Sequence, residues 1–138
     1  DYHRAGNSSN YSHRIIYSKD IVVFRNDSGK LIEPYEVDIL TSAAVNVGAL
    51  RVKENVELNM EERIERIIAL FASEKREAIV LGAFGCGVFK NDPKMIAKIF
   101  NKVLNQEKYK GAFKEVVFAI FERESHKPIT NIFKNNIR

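Results

Sequence analysis

Three glycines follow a short apolar run, and their spacing suits the binding of an anion. Gly82, Gly85 and Gly87 fall within six positions, directly after Ala78–Leu81. Glycine has no side chain to cover the backbone, so the N–H groups of such a loop can form a concave nest around an anion. Phosphate is the expected ligand. The alternative is a turn that only joins a strand to a helix, because a lone G-x-G spacing is a weak signal.

The amides of Gly85, Cys86, Gly87 and Val88 are the candidate donors to a diphosphate, and Phe89 is a candidate to pack on a sugar or base. A buried core aromatic is the competing interpretation of Phe89. A nest needs backbone conformations open to glycine, so a side chain at Gly85 or Gly87 is expected both to strain the turn and to block the phosphates.

Cys86 is the single cysteine of the chain. This count excludes an internal disulfide and a cysteine-based zinc site within one chain. Because no partner base can be assigned from the sequence, we interpret Cys86 as a small residue that lets the loop turn, not as a nucleophile.

The residues on either side of the loop predict a strand before it and a helix after it. A strand is expected at Ala78–Ala83. Asp92 can cap the following helix and Pro93 suits its first turn. Gly111 is available to end that helix, and a further strand is expected at Val116–Phe121. The inward face of the helix is formed by Ile96, Phe100, Val103 and Leu104.

The region upstream of the loop predicts a hairpin, a strand and a helix. The hairpin joins Arg14–Phe24 to Lys30–Ile32 through a turn at Asn26–Gly29. Pro34 then opens a strand at about 36–43. An amphipathic helix, capped by Asn59 with Glu62, runs to about Lys75 and places Met60, Ile64, Ile67, Ile68 and Phe71 at helical spacing. A short closing helix is expected at about 128–137.

The order strand, helix, strand, helix, strand predicts parallel pairing, because right-handed crossovers return the chain to the same side of the sheet. Ligands of such sheets bind beyond the carboxyl ends of the strands. Three segments should therefore converge, namely 42–48, 82–89 and 122–126. Ser42 and Asn46 are candidate ligand contacts, and the Asn46 side chain could meet a ribose or base. A turn residue that satisfies its own backbone is the alternative for Asn46.

The run LGAFGCGVFKNDP at 81–93, with Lys114–Ile120 downstream and Glu33–Tyr35 and Thr41–Asn46 upstream, resembles the macrodomain of microbial-type poly(ADP-ribose) glycohydrolases. The resemblance extends from about 15 to 121. Phe84 stands where that family is expected to have tryptophan, which keeps an aromatic wall. The family's catalytic segment, a triple glycine followed by Gln-Glu-Glu, is absent from these 138 residues.

The resemblance implies a three-layer α/β/α macrodomain-like fold, with a mixed sheet and a parallel βαβαβ core, that corresponds to the carboxyl-terminal part of the family's domain. Residues 1–13 are expected to be flexible or partly ordered, and 14–138 to form the domain, incomplete on its N-terminal side. The implied partners are ADP-ribose or poly(ADP-ribose) and ADP-ribosylated proteins. Two function classes stay open, an enzyme of ADP-ribose removal and a noncatalytic binder of ADP-ribose or a related nucleotide. A nucleotide-binding module without ADP-ribose selectivity is a weaker third alternative.

No catalytic residue, metal site or cofactor is predicted for this chain. Glu61 and Glu62 are expected to stabilise the start of a helix, and His3, His13 and His126 are too scattered for a triad or a metal cluster. A macrodomain without its first strands would leave an open sheet edge, so a homo-oligomer is expected.

The composition fits one domain, with 45% hydrophobic residues in 138. Its net charge of +4 suits a polyanionic ligand. With no apolar stretch of about 20 residues and no signal peptide, a cytoplasmic protein without a membrane span is expected.

Overall fold

A computed structural model describes residues 9–51, 53, 55–123 and 127–138. The described residues form an α/β structure with two small sheets. Its elements, in chain order, are β1 (Ile15–Arg25), β2 (Leu31–Ser42), α1 (Val56–Ser73), β3 (Ala78–Leu81), α2 (Pro93–Leu104), β4 (Glu115–Phe118) and α3 (Pro128–Asn136). Single turns of 3₁₀ helix lie at Val47–Ala49 and Glu107–Tyr109.

The predicted hairpin forms and is longer than expected, because β2 begins at Leu31 instead of at about 36. β1 and β2 pair antiparallel over most of their length. The turn between them is held by Asn26, whose side-chain oxygen accepts from the amides of Ser28 and Lys30. Pro34 lies inside β2, where the register between the strands shifts and a missing N–H is tolerated.

β3, α2 and β4 form one parallel βαβ unit, with Ala78 paired to Glu115 and Leu81 to Phe118. Both strands are shorter than predicted, since β3 stops before the glycine loop and β4 ends at Phe118. Among the described residues, parallel pairing is confined to β3 and β4. β2 is paired through one edge to β1 and is not hydrogen-bonded to β3.

The helices supply most of the core. α1 and α2 pack together, and α2 packs on α3. The predicted inward face of α1 is confirmed, with Met60, Ile64, Ile67 and Ile68 buried, and that of α2 buries Ile96, Phe100 and Val103. Phe118 of β4 lies between two helices, with ring centroids 5.2 Å from Phe100 and 5.4 Å from Phe133.

Two predicted helix boundaries are wrong. α1 starts at Val56 after Asn55, whose φ of 59° is left-handed, so Asn59 lies inside the helix and donates its amide to the Asn55 carbonyl. Glu61 and Glu62 consequently fall beyond the first turn. α2 ends at Leu104 instead of near Gly111, because the chain turns into a 3₁₀ helix first. The closing helix α3 is confirmed.

A cleft separates the two sheets. We call it the intersheet cleft and define it by β2 residues 36–42 and β3 with Gly82, which line two cavities of about 480 and 420 Å³. Ile39 and Val80 leave 46% and 68% of their surface exposed beside it. Among the described residues, β2 and β3 therefore present apolar edges toward this cleft that no strand pairs.

The hairpin is tied across one end of the cleft by Asp38. Its carboxylate accepts from the Tyr17 hydroxyl and from the Asp20 amide, and it forms an ion pair with Arg76 at 2.5 Å. These hydrogen bonds, that of Tyr17 foremost, hold the pKa of Asp38 below its ordinary value. β2 is thus anchored electrostatically to the loop that leads into β3.

Candidate ligand-binding loop

The glycine loop connects β3 to α2, as the sequence predicts. Asp92 caps α2 by accepting from the Lys94 amide at 3.0 Å, and Pro93 is the first helical residue. The loop therefore leaves the carboxyl end of a parallel strand and enters a helix N-terminus, a position where backbone N–H groups can face a ligand.

Gly85 and Gly87 differ in what they require. Gly85 has a φ of +74°, and a Cβ there would lie 2.5 Å from Asn91 Nδ2 and 2.6 Å from Ala44 Cβ. Only glycine fits that position without displacing its neighbours. Gly87 is exposed, and a Cβ there would meet no atom within 4 Å. The predicted strain on substitution is therefore wrong for Gly87, whose backbone lies outside the left-handed region.

The loop leaves several amides free to bind a ligand. Within the described part of the chain, the N–H groups of Gly85, Gly87 and Val88 have no acceptor. The Cys86 amide differs from its predicted role, because it donates to the Ala83 carbonyl at 3.0 Å within the loop. Val88 is 87% exposed, so this part of the backbone is accessible from solvent. The free donors thus lie on either side of Cys86.

The Cys86 thiol lies in the core with 9% of its surface exposed. Burial, with a smaller contribution from Asp92, raises the pKa of this thiol to about 11. A thiol in this state holds almost no nucleophilic thiolate at neutral pH. The geometry agrees with the interpretation of Cys86 as a small packing residue.

We expect Cys86 to resist alkylation in the native protein. At pH 7.5 without denaturant, iodoacetamide should modify the Cys86 thiol at least about tenfold more slowly than it does in 6 M guanidinium. Burial restricts access to the sulfur, and the raised pKa keeps the thiolate fraction low. Intact mass against time gives both rates. Equal rates would contradict the buried position.

Phe89 is half-buried, and its ring stacks on Tyr11 with a centroid distance of 5.8 Å and an angle of 21°. One face of Phe89 is therefore covered by the segment before β1. A sugar or base could pack only against the remaining exposed part. The core interpretation therefore holds for the covered part of Phe89, and packing on a sugar or base stays a prediction for the exposed part.

The first two predicted segments do converge. The Asn91 side chain, at the end of the loop, donates to the Val45 carbonyl at 2.8 Å, and the Gly48 amide donates to the Phe89 carbonyl at 3.2 Å. Residues 44–48 and the glycine loop are therefore in direct contact. This convergence follows from the placement of both segments at the carboxyl ends of strands.

The third predicted segment is only partly described, and residues 124–126, His126 among them, lie outside the described residues. The Glu122 carboxylate accepts from the amides of Ile129 and Thr130, both at 2.8 Å, and from the Thr130 hydroxyl. Glu122 thus stabilises the start of α3, where negative charge complements the helix dipole.

Ser42 is the last residue of β2, and Asn46 directly precedes the 3₁₀ turn at Val47–Ala49. The Asn46 backbone carbonyl accepts from Ala49, while its side chain has no hydrogen bond to the described residues. The side-chain amide of Asn46 therefore stays available to a ligand, whereas its backbone amide donates to the Ser9 carbonyl at 2.8 Å. Ser42 Oγ is buried without a partner among those residues and lines the intersheet cleft near Gly82 and Phe84.

Sequence reasoning missed Arg63, which supports this site from behind. It is 1% exposed on the inward side of α1 and donates to the carbonyls of Ala43, at 2.9 Å, and Asn10. Burial lowers the pKa of the guanidinium. The sequence signal that could have identified Arg63 as buried is its position directly before Ile64 on the apolar face of the helix.

Neither family models nor curated proteins match this chain, but solved structures do. A poly(ADP-ribose) glycohydrolase from Deinococcus radiodurans in complex with ADP-ribose is 33% identical with a TM-score of 0.88, over 98% of this chain and 56% of that protein. The poly(ADP-ribose) glycohydrolase of Thermomonospora curvata is 35% identical with a TM-score of 0.88, over 99% and 52% of the two chains. The predicted resemblance to the carboxyl-terminal part of bacterial poly(ADP-ribose) glycohydrolases is confirmed.

This likeness also confirms the predicted fold class, a mixed α/β macrodomain-like fold. The chain spans slightly more than half the length of the glycohydrolases that it matches. Within the described residues, no group of three His, Cys, Asp or Glu side chains could hold a metal ion. No described helix is long and apolar enough to cross a membrane.

Proposed function

We propose that this chain binds ADP-ribose through the glycine loop and the adjoining end of β2. The observation that carries the proposal is the set of free amides at Gly85, Gly87 and Val88, placed beyond the carboxyl end of β3 in a fold that a Deinococcus glycohydrolase shares while binding ADP-ribose. The proposed ligand contacts are Ser42, Asn46, Gly82, Gly85, Cys86, Gly87, Val88 and Phe89, with Cys86 contributing through the shape of the loop.

The chemistry of the loop supports a diphosphate as the group it recognises. Backbone N–H groups in a concave turn are matched to phosphate oxygens, and each charge-assisted hydrogen bond contributes roughly 1.5–3 kcal/mol. The described part of the loop carries no carboxylate before Asp92, and Asp92 is engaged at the cap of α2. Anion binding at Gly85–Val88 therefore meets no negative side chain within the loop.

Calorimetric titration with ADP-ribose, AMP and ribose-5-phosphate tests the proposal. We expect ADP-ribose to bind most tightly, because it alone carries the diphosphate together with both sugars. Phe89→Ala should weaken ligands that carry the sugar or base it covers, and Tyr35→Ala, an exposed aromatic of the hairpin, serves as control. The proposal is contradicted if a folded double variant, Phe89→Ala combined with Gly87→Val, binds ADP-ribose as tightly as the wild type does.

The wider activity is also a proposal, since the matched glycohydrolases are longer than this chain. We infer that the domain acts on poly(ADP-ribose) or ADP-ribosylated proteins, and that it cleaves the glycosidic linkage only where the family's paired glutamates are supplied. A noncatalytic ADP-ribose-binding module is the second candidate, because the amides left without an acceptor in the described loop support binding without requiring a catalytic group. We place this domain at 14–138.

We further infer that the chain self-associates through the intersheet cleft. In the part of the chain that the structure describes, β2 and β3 each have an edge there without a paired strand, and Val80 is 68% exposed. Such edges pair readily with strands of a second copy. Light scattering over a hundredfold dilution should show a mass above that of one chain at high concentration, and Val80→Lys should reduce it. A single-chain mass at every concentration would contradict this inference.

A further inference from the structure

We propose that Asn91 is the positioning residue of the glycine loop, and that its side-chain amide sets the loop's preference for diphosphate ligands. The inference deepens the proposed function and rests on it for the identity of the ligand. It differs from that proposal in assigning the shape of the loop to one side chain that does not contact the ligand.

Asn91 joins the two halves of the site. It is 2% exposed, and its Nδ2 donates to the Val45 carbonyl at 2.8 Å and to the Gly85 carbonyl at 3.1 Å. Its backbone amide also donates to the Gly85 carbonyl at 3.1 Å. One residue therefore links the segment after β2, the first turn of the loop and the last loop position before the cap of α2.

The chemistry of these contacts requires an amide. Two carbonyl oxygens converge on Asn91, and a planar NH₂ group supplies one hydrogen to each. Asn91 Oδ1 is buried and has no partner among the described residues, so the donor half of the group carries the interaction. A carboxylate of the same shape would place an acceptor against two acceptors.

The free amides lie between the points that Asn91 fixes. Gly85 is held at a φ of +74°, and Lys90, which precedes Asn91, has a φ of 60°. The Lys90 amide closes the intervening turn by donating to the Gly87 carbonyl at 3.1 Å. With both ends of Gly85–Lys90 constrained, the N–H groups of Gly87 and Val88 keep a defined direction. Without Asn91, the loop would lose its tie to Val45 and this direction with it.

A measurement on the wild-type, ligand-free protein comes first. The Asn91 side-chain NH₂ protons should exchange with solvent at least about tenfold more slowly than those of Asn105, which donates to the Asn101 carbonyl on an exposed surface. Nuclear magnetic resonance resolves both groups. Equal, fast exchange would overturn the proposal without any variant and without any ligand.

Variants then test the link to specificity. In Asn91→Asp and Asn91→Ala, we expect affinity for ADP-ribose to fall at least about tenfold while affinity for adenosine changes less than about twofold, and the Gly48 amide, which donates to Phe89, should exchange faster. Asn105→Ala at the far end of α2 is the matched control and should bind as wild type. Asn91→Ala avoids a buried charge should Asn91→Asp fail to fold.

The outcomes separate the two proposals. If a folded Asn91 variant keeps the wild-type ratio of its affinities for ADP-ribose and adenosine, the positioning role is overturned and the proposed function stands. If the wild type does not bind ADP-ribose, the proposed function fails, whereas the exchange of the Asn91 and Gly48 protons still decides whether Asn91 holds the loop.

Discussion

Gly85→Val should lower the free energy of unfolding by about 2–5 kcal/mol, whereas Gly87→Val should leave it nearly unchanged. At Gly85 the left-handed backbone costs an L-residue roughly 1–2 kcal/mol, and overpacking against Asn91 and Ala44 adds roughly 1–3 kcal/mol. Such a loss is a large part of the roughly 5–15 kcal/mol that stabilises an ordinary domain. At Gly87 the added side chain meets open space.

Gly87→Val should affect the binding of ADP-ribose and not the stability of the fold. A folded Gly87→Val is expected to bind ADP-ribose more than about tenfold more weakly, because its side chain projects where the phosphates approach the free amides, and a single lost hydrogen bond of about 1.5–3 kcal/mol is enough. Its binding of adenosine should change little. Urea unfolding measures the free energy of unfolding of the two variants, and calorimetry measures their binding of ADP-ribose and adenosine.

Two results would contradict this assignment. Wild-type stability in Gly85→Val would mean that the loop relaxes freely around position 85. Wild-type binding of ADP-ribose by Gly87→Val would mean that the loop is a structural turn and that the ligand, if bound, lies elsewhere.

The second large effect concerns catalysis. We expect these 138 residues to release ADP-ribose from poly(ADP-ribose) about 10²–10⁴-fold more slowly than the Deinococcus enzyme. Proton transfer by a positioned acid accelerates a reaction by about that factor, and the family's paired glutamates are not in this sequence. Cleavage of a glycosidic bond needs one carboxyl group to protonate the leaving oxygen and a second to act on the other face of the sugar. Labelled polymer and chromatography of the products measure the rate.

Glu61 and Glu62 provide the control for this prediction. They are adjacent, but in the structure Glu61 pairs with Lys102 at 2.5 Å and Glu62 with Arg66 at 2.5 Å on the outer side of α1. Glu61→Gln with Glu62→Gln should therefore leave any residual release unchanged. Rapid release that this double variant abolishes would overturn both the resemblance-based assignment and the surface role of the pair.

The sequence by itself determined the parts of this protein that depend on neighbouring residues. The glycine loop, the Asp92-Pro93 helix start, the hairpin turn at Asn26–Gly29 and the apolar faces of α1 and α2 follow from backbone freedom, capping and helical periodicity. The meeting of 44–48 with the loop was also predicted, because both segments follow the carboxyl ends of strands, although the described β2 and β3 belong to separate sheets. Helix ends were less predictable, because α1 begins after Asn55, in a left-handed conformation, and not at the predicted cap Asn59.

Only the tertiary structure decided which residues hold the site together. Asn91 donates to Val45, which lies 46 positions earlier, and Arg63 reaches Asn10 across 53 positions. Helical periodicity places Arg63 on the apolar face of α1, but nothing in the local pattern identifies the distant backbone carbonyls that Arg63 and Asn91 bind. The same holds for the contrast between Gly85 and Gly87, since the atoms that crowd Gly85 include the side chain of Ala44, in the segment after β2. The local sequence thus specifies the glycine loop, and long-range packing determines which of its glycines can accept a side chain and which of its amides lack an acceptor among the described residues.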